Sequence, residues 1–417
     1  MKHPFQIVLS DQDGHVFTSV KNEILVFNTD GQRIGHWIDP LDKSVTLKKQ
    51  QEEKIKQLSE KKLKTNDETP IKIPKIPVPG LGAPPLYNYI RSLSVRNDIL
   101  VGTTDSDKAV VIFRIDFSNN IGNCLCLIKR QVLPKRPCAV SQNDKVVVVA
   151  DKFGDVYTVS IDLNEPVEDK ALAPILGHVS MLSDVLITTR DDGKSFILTA
   201  DRDEHIRVTN YPKSYVIKSW LFGHREFILS LVIPEFNRDL LISGGGDNYV
   251  LLWNWYDNKL LDQVDIRTLI EPFLNDSHLP PERFLTEDSV KEVTVSNIIS
   301  YAEYFYVVCE NTKCINGFKI DAGDGFKVNH IQTLTTQHSI VDITLDKLKN
   351  QLIACFDTED EHKLLAGFAI ADDGLLQQQE QSKALTNISD ANECLVESRD
   401  DFYPLYYTST LRKRSDH

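Results

Sequence analysis

His224, Ser243 and Asp247 are the residue types of a nucleophile, its base and the group that orients the base, and Trp253 follows them in one stretch. As a hydrolase set they fail on context. None stands on the Gly-x-Ser-x-Gly turn between strand and helix that exposes such a nucleophile. The same types also make a closed hydrogen-bond chain: Asp247 fixes His224, His224 meets the Ser243 hydroxyl, and that hydroxyl receives the Trp253 indole N–H. This reading uses all four residues, whereas a triad leaves the tryptophan without a role. An earlier stretch repeats the order with His178, Thr199 and Asp203. Thr209 stands there in place of the tryptophan, so that network is expected to be incomplete.

Other chemistry is poorly served. Gly244-Gly-Gly246 is followed by Asp247 and a strand, with no helix N-terminus to aim N–H groups at a phosphate. Gly80-Leu-Gly82 runs into Pro84 and Pro85. No strand–Gly-x-Gly–helix unit able to hold S-adenosylmethionine or a nucleotide is evident, nor are metal-ligand spacing or paired carboxylates. The chain reads as a non-enzyme with no cofactor or metal of its own.

Asp201-Arg-Asp-Glu-His205 is different, because a tight turn needs one aspartate and Asp203 suffices. The remaining charges, with Arg225-Glu226 after the next Gly-His pair and Asp151-Lys152 in the preceding turn, fit either a solvated rim or a mixed-sign docking patch for a protein.

These residues sit in a repeat. Gly177-His178 returns as Gly223-His224 after 46 residues, and each pair leads to a strand-like run, an acidic turn and a second strand. A unit of about 40–45 residues with this order is the signature of a β-propeller blade. Weaker copies bring the count to seven, starting near residues 5, 87, 132, 174, 220, 290 and 335. The predicted fold is an all-β, seven-bladed WD-repeat propeller forming one domain over 1–417. Phe402-Tyr-Pro-Leu405 is expected to close the ring beside the first strands.

One segment breaks the pattern. Residues 40–85, after the first blade, begin with a Lys-, Glu- and Gln-rich run that has the makings of a marginal helix and continue with prolines at 70, 74, 77, 79, 84 and 85. This is expected to be a disordered, solvated insertion, or else a basic arm for RNA or nuclear import. Residues 408–417, with Arg412-Lys-Arg414, are expected to form a mobile basic tail.

Composition agrees with a globular protein: 41% hydrophobic and 26% charged residues, with a formal charge of −13. That charge disfavours direct grip on a phosphate backbone and favours protein contacts. Seven cysteines without a Cys-x-x-Cys pair point to a reduced, intracellular chain. The opening residues lack the apolar core of a secretory signal.

Several longer strings occur in one order: Pro79-Gly-Leu-Gly-Ala-Pro-Pro85, Lys135-Arg-Pro137, Ala150-Asp-Lys-Phe-Gly-Asp-Val-Tyr157, Ile175-Leu-Gly-His-Val-Ser-Met181, Asp201–His205, Trp220-Leu-Phe-Gly-His224 and Leu411-Arg-Lys413. With them the chain closely resembles the WD-repeat, non-catalytic subunits of fungal tRNA (guanine-N7-)-methyltransferases. The resemblance implies a nuclear heterodimer in which a separate catalytic subunit holds S-adenosylmethionine and methylates a guanosine in the tRNA variable loop. Transfer RNA would then be met through the complex, the alternatives being a general WD-repeat adaptor for another protein complex or a propeller that binds RNA directly. It also implies partner contacts at Lys152, Asp201, Arg202, Asp203, Glu204, Arg225 and Lys218. Ser219 stands before Trp220, where many relatives have lysine.

Overall fold

The computed structural model describes every residue except 66–87, 119–121, 163–164, 169–170, 324, 381, 407 and 415–417. Seven antiparallel four-stranded sheets, each built from consecutive strands, are arranged as blades of a ring. Their first strands begin at Ile7, Ile90, Pro137, Leu182, Ile228, Val295 and Ser339, and each packs beside the first strands of its neighbours around the centre. The sequence-derived starts fall within eight residues of these positions.

The strand patterns follow from the stacking. Second strands such as Ile99–Thr104 and Leu240–Gly245 are buried throughout, because both faces of a blade are covered by neighbouring blades. Outer strands such as Lys259–Asp265 are largely exposed and polar. The apolar clusters therefore lie between blades: Leu240, Ile242 and Val250 of the fifth blade pack with Val295, Ile298 and Phe305 of the sixth.

Phe402–Leu405 lie beside the first strands, Gln6 Nε2 donating to Pro404 O at 3.4 Å and Leu405 packing on the Phe5 and Val8 core, but they do not themselves close the ring. Those residues form no strand. Instead Lys2 bridges to Leu395, His3 N–H donates to Cys394 O at 2.8 Å, and Val396 N–H donates to Met1 O at 2.9 Å. Between the last and first blades, Asp342 Oδ2 accepts from Val8 N–H at 2.9 Å and Thr344 Oγ1 from Ser10 N–H at 3.0 Å. Phe5, Val8 and Phe27 share a core with Ile353, Cys355 and the helix residues Leu385 and Ile388. Phe402–Tyr406 instead cross one face of the ring. Tyr403 N–H donates to His3 Nε2 at 2.8 Å, and Leu405 and Tyr406 line the mouth of a central cavity of about 300 Å³.

The inserted segment begins as helix α1, Lys43–Thr65, with eight lysines and three glutamates. Ahead of it, buried Asp39 is held by Arg130 at 3.0 Å and by Ser106 Oγ at 2.5 Å. The proline-rich part, expected to be disordered, lies outside the described residues.

Candidate functional site

Turns between second and third strands, and the Gly-His loops between blades, emerge on the same face of the ring, here called the top. In the fifth blade His224 Nδ1 lies 2.7 Å from Asp247 Oδ2 and its Nε2 lies 2.7 Å from Ser243 Oγ. Trp253 Nε1 donates to Ser243 Oγ at 2.9 Å. The arrangement that satisfies every atom puts the ring proton on Nδ1, so that Ser243 donates to Nε2 and accepts from the indole. All four residues are buried. The chain of bonds holds the blade's turn to its strands and leaves no hydroxyl free to attack a substrate.

The fourth blade uses the same device with a different aspartate. His178 Nε2 lies 2.8 Å from Thr199 Oγ1, as expected, but Nδ1 lies 2.9 Å from Asp201 Oδ2 and not from Asp203. Asp201 also accepts from the N–H groups of Asp203 and His205 through Oδ1, closing the turn on itself. The turn brings Asp201 inward, and Asp203 points out. Asp201 is 2% exposed, so the expectation that it contacts a partner is corrected as well. At the tryptophan position, Thr209 Oγ1 accepts from Arg207 Nε at 2.9 Å, and Arg207 Nη1 reaches Gly177 O. The guanidinium thus ties Thr209 to the Gly-His loop, a different set of bonds from the indole's in the fifth blade.

The remaining residues expected to meet a partner divide. Arg202, Asp203 and Glu204 stand together at the turn, with Glu204 at φ +76, the left-handed geometry the tight turn requires. Arg202 Nε donates to Leu411 O at 2.6 Å, and Lys413 Nζ lies 3.0 Å from Asp203 and 3.7 Å from Glu204. Burial raises the Asp203 carboxyl, but bonds from Ser180 and Lys413 outweigh it and hold its pKa below the ordinary range. The side chain of Arg225 is exposed and its backbone N–H donates to Asp247 Oδ1. Lys152 is one loop away. Its turn abuts the His178 loop, since His178 N–H donates to Gly154 O at 2.8 Å. Lys152 and Lys135 both lie over the Phe153 ring, beside Leu47 and Gln50 of α1. Burial, then Arg136 and Arg91, lower the Lys152 pKa.

Lys218 does not join them. It sits toward the far end of the outer strand Ile217–Leu221, donates to the Tyr256 carbonyl and lies 3.9 Å from the centre of that ring. A lysine two residues before the tryptophan is placed by the strand against the next blade, away from the top face.

Sequence reasoning missed the apolar centre of this rim. Val179, fully exposed, and Phe222, 66% exposed, flank Trp220 and His205 around a hollow of about 220 Å³. The His205 ring lies edge-on to Trp220 at 5.7 Å and to Phe222 at 5.5 Å. The available signal was the apolar type of Val179 and Phe222 beside Gly-His pairs, where a solvated loop would carry polar residues. It also missed the seating of Leu411–Arg414, which was expected to be mobile. A further group, Asp11, Asp13 and His15, comes together in the first blade's turn. There Asp11 is committed to capping Asp13 N–H and His15 N–H.

The comparisons agree with this architecture. The family model described as the tRNA methyltransferase TRM82 WD40 domain matches residues 16–174 and 164–367. The tRNA (guanine-N(7)-)-methyltransferase non-catalytic subunit TRM82 of Debaryomyces hansenii is 54% identical, with all of both chains covered. The protein of the same description from Saccharomyces cerevisiae is 37% identical, over 100% of this chain and 99% of that one. Among solved structures, the RRP9 WD40 repeats match with a TM-score of 0.56 at 13% identity, covering 85% of this chain and 88% of that one. That likeness speaks for the fold alone. The domain match and the full-length identities place the chain in the TRM82 WD40 family of tRNA methyltransferase subunits.

Proposed function

We propose that this chain is the scaffold of a heterodimeric tRNA (guanine-N7-)-methyltransferase, binding the catalytic subunit through the rim of its third to fifth blades and holding it in an active arrangement. Its relatives carry the name of the non-catalytic subunit, and this chain is likewise a regulatory subunit and not an enzyme. S-adenosylmethionine is then held by the partner, tRNA is engaged by the assembled complex, and the complex works in the nucleus.

The observation that carries the reading is the rim itself. Exposed Val179 and Phe222 surround a small aromatic hollow that Asp203 also lines, and Arg202, Glu204 and Arg225 stand in the same turn and the adjoining Gly-His loop. An apolar centre inside a mixed-sign border is the anatomy of a protein interface, where central apolar side chains supply affinity and border charges set orientation. The partner's active conformation is stabilised by mass action when it binds this surface better than its alternatives do.

The test is co-purification of the catalytic subunit with Val179→Asp and Phe222→Asp variants. Both side chains face solvent, so the propeller should fold normally. Association is expected to weaken at least about tenfold in each, and tRNA methylation to fall with it. Undiminished association in both variants would overturn the reading.

A further inference from the structure

Four carboxylates from three successive blades surround one notch on the top face. Asp203 and Glu204 come from the fourth blade's turn, Glu226 follows the fifth blade's Gly-His pair, and Glu292 precedes the sixth blade's first strand. Unaccompanied, they would repel one another. The segment Leu411–Arg414 lies among them.

Its side chains alternate. Arg412 and Arg414 enter the notch and are 12% and 14% exposed. Arg412 Nη1 lies 2.8 Å from Glu226, its Nε 3.5 Å from Glu292, and its Nη2 donates to the carbonyls of Gly246 at 2.7 Å and Val293 at 3.0 Å. The guanidinium also lies 5.7 Å from the Phe227 ring centre. Arg414 grips Glu292 with both terminal nitrogens, at 2.8 and 2.7 Å. Lys413 turns the other way, to Asp203 and Glu204, while Arg202 holds the Leu411 carbonyl. Burial raises the Glu226 carboxyl above the ordinary range, and Arg412 pulls it back.

This is a built recognition site. The forked pair of Arg414 with Glu292, and the donation of Arg412 to two backbone carbonyls beside two carboxylates, are met only by a planar five-donor group, which is arginine. We propose that the notch between the fourth, fifth and sixth blades is a receptor for an Arg-x-Arg segment, that Leu411–Arg414 is its occupant, and that seating this segment presents the docking rim. With it in place, Lys413 holds Asp203 and Glu204, and Leu411 holds Arg202, beside Val179 and Phe222. The second half of the proposal rests on the docking reading above. A partner that displaced the segment would have to lift two nearly buried arginines, so the geometry favours a clip that stays in place over a plug that leaves.

The segment's own cations are trypsin sites, which provides a readout independent of any partner. In limited digestion of the full chain, cleavage after Lys413 and Arg414 is expected to be about tenfold slower in the wild type than in Arg412→Ala or Glu292→Arg. Glu292→Gln, which keeps an acceptor for both Arg412 and Arg414 and leaves every cleavage site in place, should be cleaved at a rate between those of wild type and Glu292→Arg. Affinity for the co-expressed catalytic subunit should fall about tenfold in Glu292→Arg and less in Glu292→Gln. Equal cleavage rates in wild type and Glu292→Arg would overturn the seated segment. A released segment with unchanged association would overturn its role in presenting the rim, and tighter association would show a competitor instead. Failure of the docking reading would appear separately, as persistent association of Val179→Asp and Phe222→Asp.

Discussion

Ser243 is the joint of the fifth blade, since its hydroxyl meets both His224 Nε2 and Trp253 Nε1. Removing it strands two buried polar groups at once. Ser243→Ala is therefore expected to destabilise the protein by about 1–3 kcal/mol in denaturant unfolding, while partner association below the unfolding transition is unchanged. Asp184 and Asp342 act at a similar scale with a pH signature. Each accepts a backbone N–H from the next blade's first strand, Leu231 and Val8 respectively. Burial pushes Asp184 up to about 7 and Asp342 up to about 6. In the unfolded chain both carboxyls ionise near the ordinary value of 3.8. Between that value and the folded one, the native state holds the extra proton, so stability falls as pH rises through this window and levels off above it. Asp184→Asn keeps the acceptor without the charge. Measured at pH steps from about 4 to about 8, wild type should lose stability relative to this variant, on the order of a few kcal/mol and all of it below about pH 7. A constant difference across that range would refute the assignment.

At the scale of elements, the turn Asp151–Asp155 and the loop Gly177–Ser180 behave as one piece. Gly154 has φ +103, and a Cβ there would lie 2.4 Å from His178 O. Any side chain must therefore push the two apart as well as adopt a strained backbone. Gly154→Ala is expected to lower stability by more than about 1 kcal/mol and to weaken partner association further, because Val179 rides on the displaced loop. Thermal unfolding and a binding titration separate the two effects. Lys218 shows the same logic in reverse. Its strand places it against Tyr256, so Lys218→Ala should trim stability while leaving association within about twofold of wild type.

For the whole molecule, the charge of −13 is unevenly spread: helix α1 carries eight lysines against three glutamates. The acidic body nonetheless dominates at long range. The isolated chain is expected to bind tRNA no more tightly than non-specific contacts allow, with a Kd of about 10⁻⁴–10⁻⁶ M near physiological salt, while the heterodimer binds tightly. Fluorescence anisotropy with labelled tRNA checks this. A strong, steeply salt-dependent complex with the isolated chain would favour α1 as a direct RNA-binding element instead.

Seven blades, the Gly-His and acidic-turn positions and the four-residue network of the fifth blade were all legible from residue order, because strand alternation and turn chemistry act over a few residues. The choice of Asp201 over Asp203 was not, since which of two carboxylates two positions apart faces His178 depends on how the turn folds inward. Nor was the place of Lys218, which is decided by how far along its strand the top face begins. The largest shift concerns Leu411–Arg414. Its basic composition alone describes a mobile, solvated stretch. Its partners Asp203, Glu226 and Glu292 are separated from it by more than a hundred residues and lie on three blades. Only the side-by-side packing of the fourth, fifth and sixth blades brings those carboxylates to one notch, and so only the tertiary structure turns a basic stretch into a fitted clip.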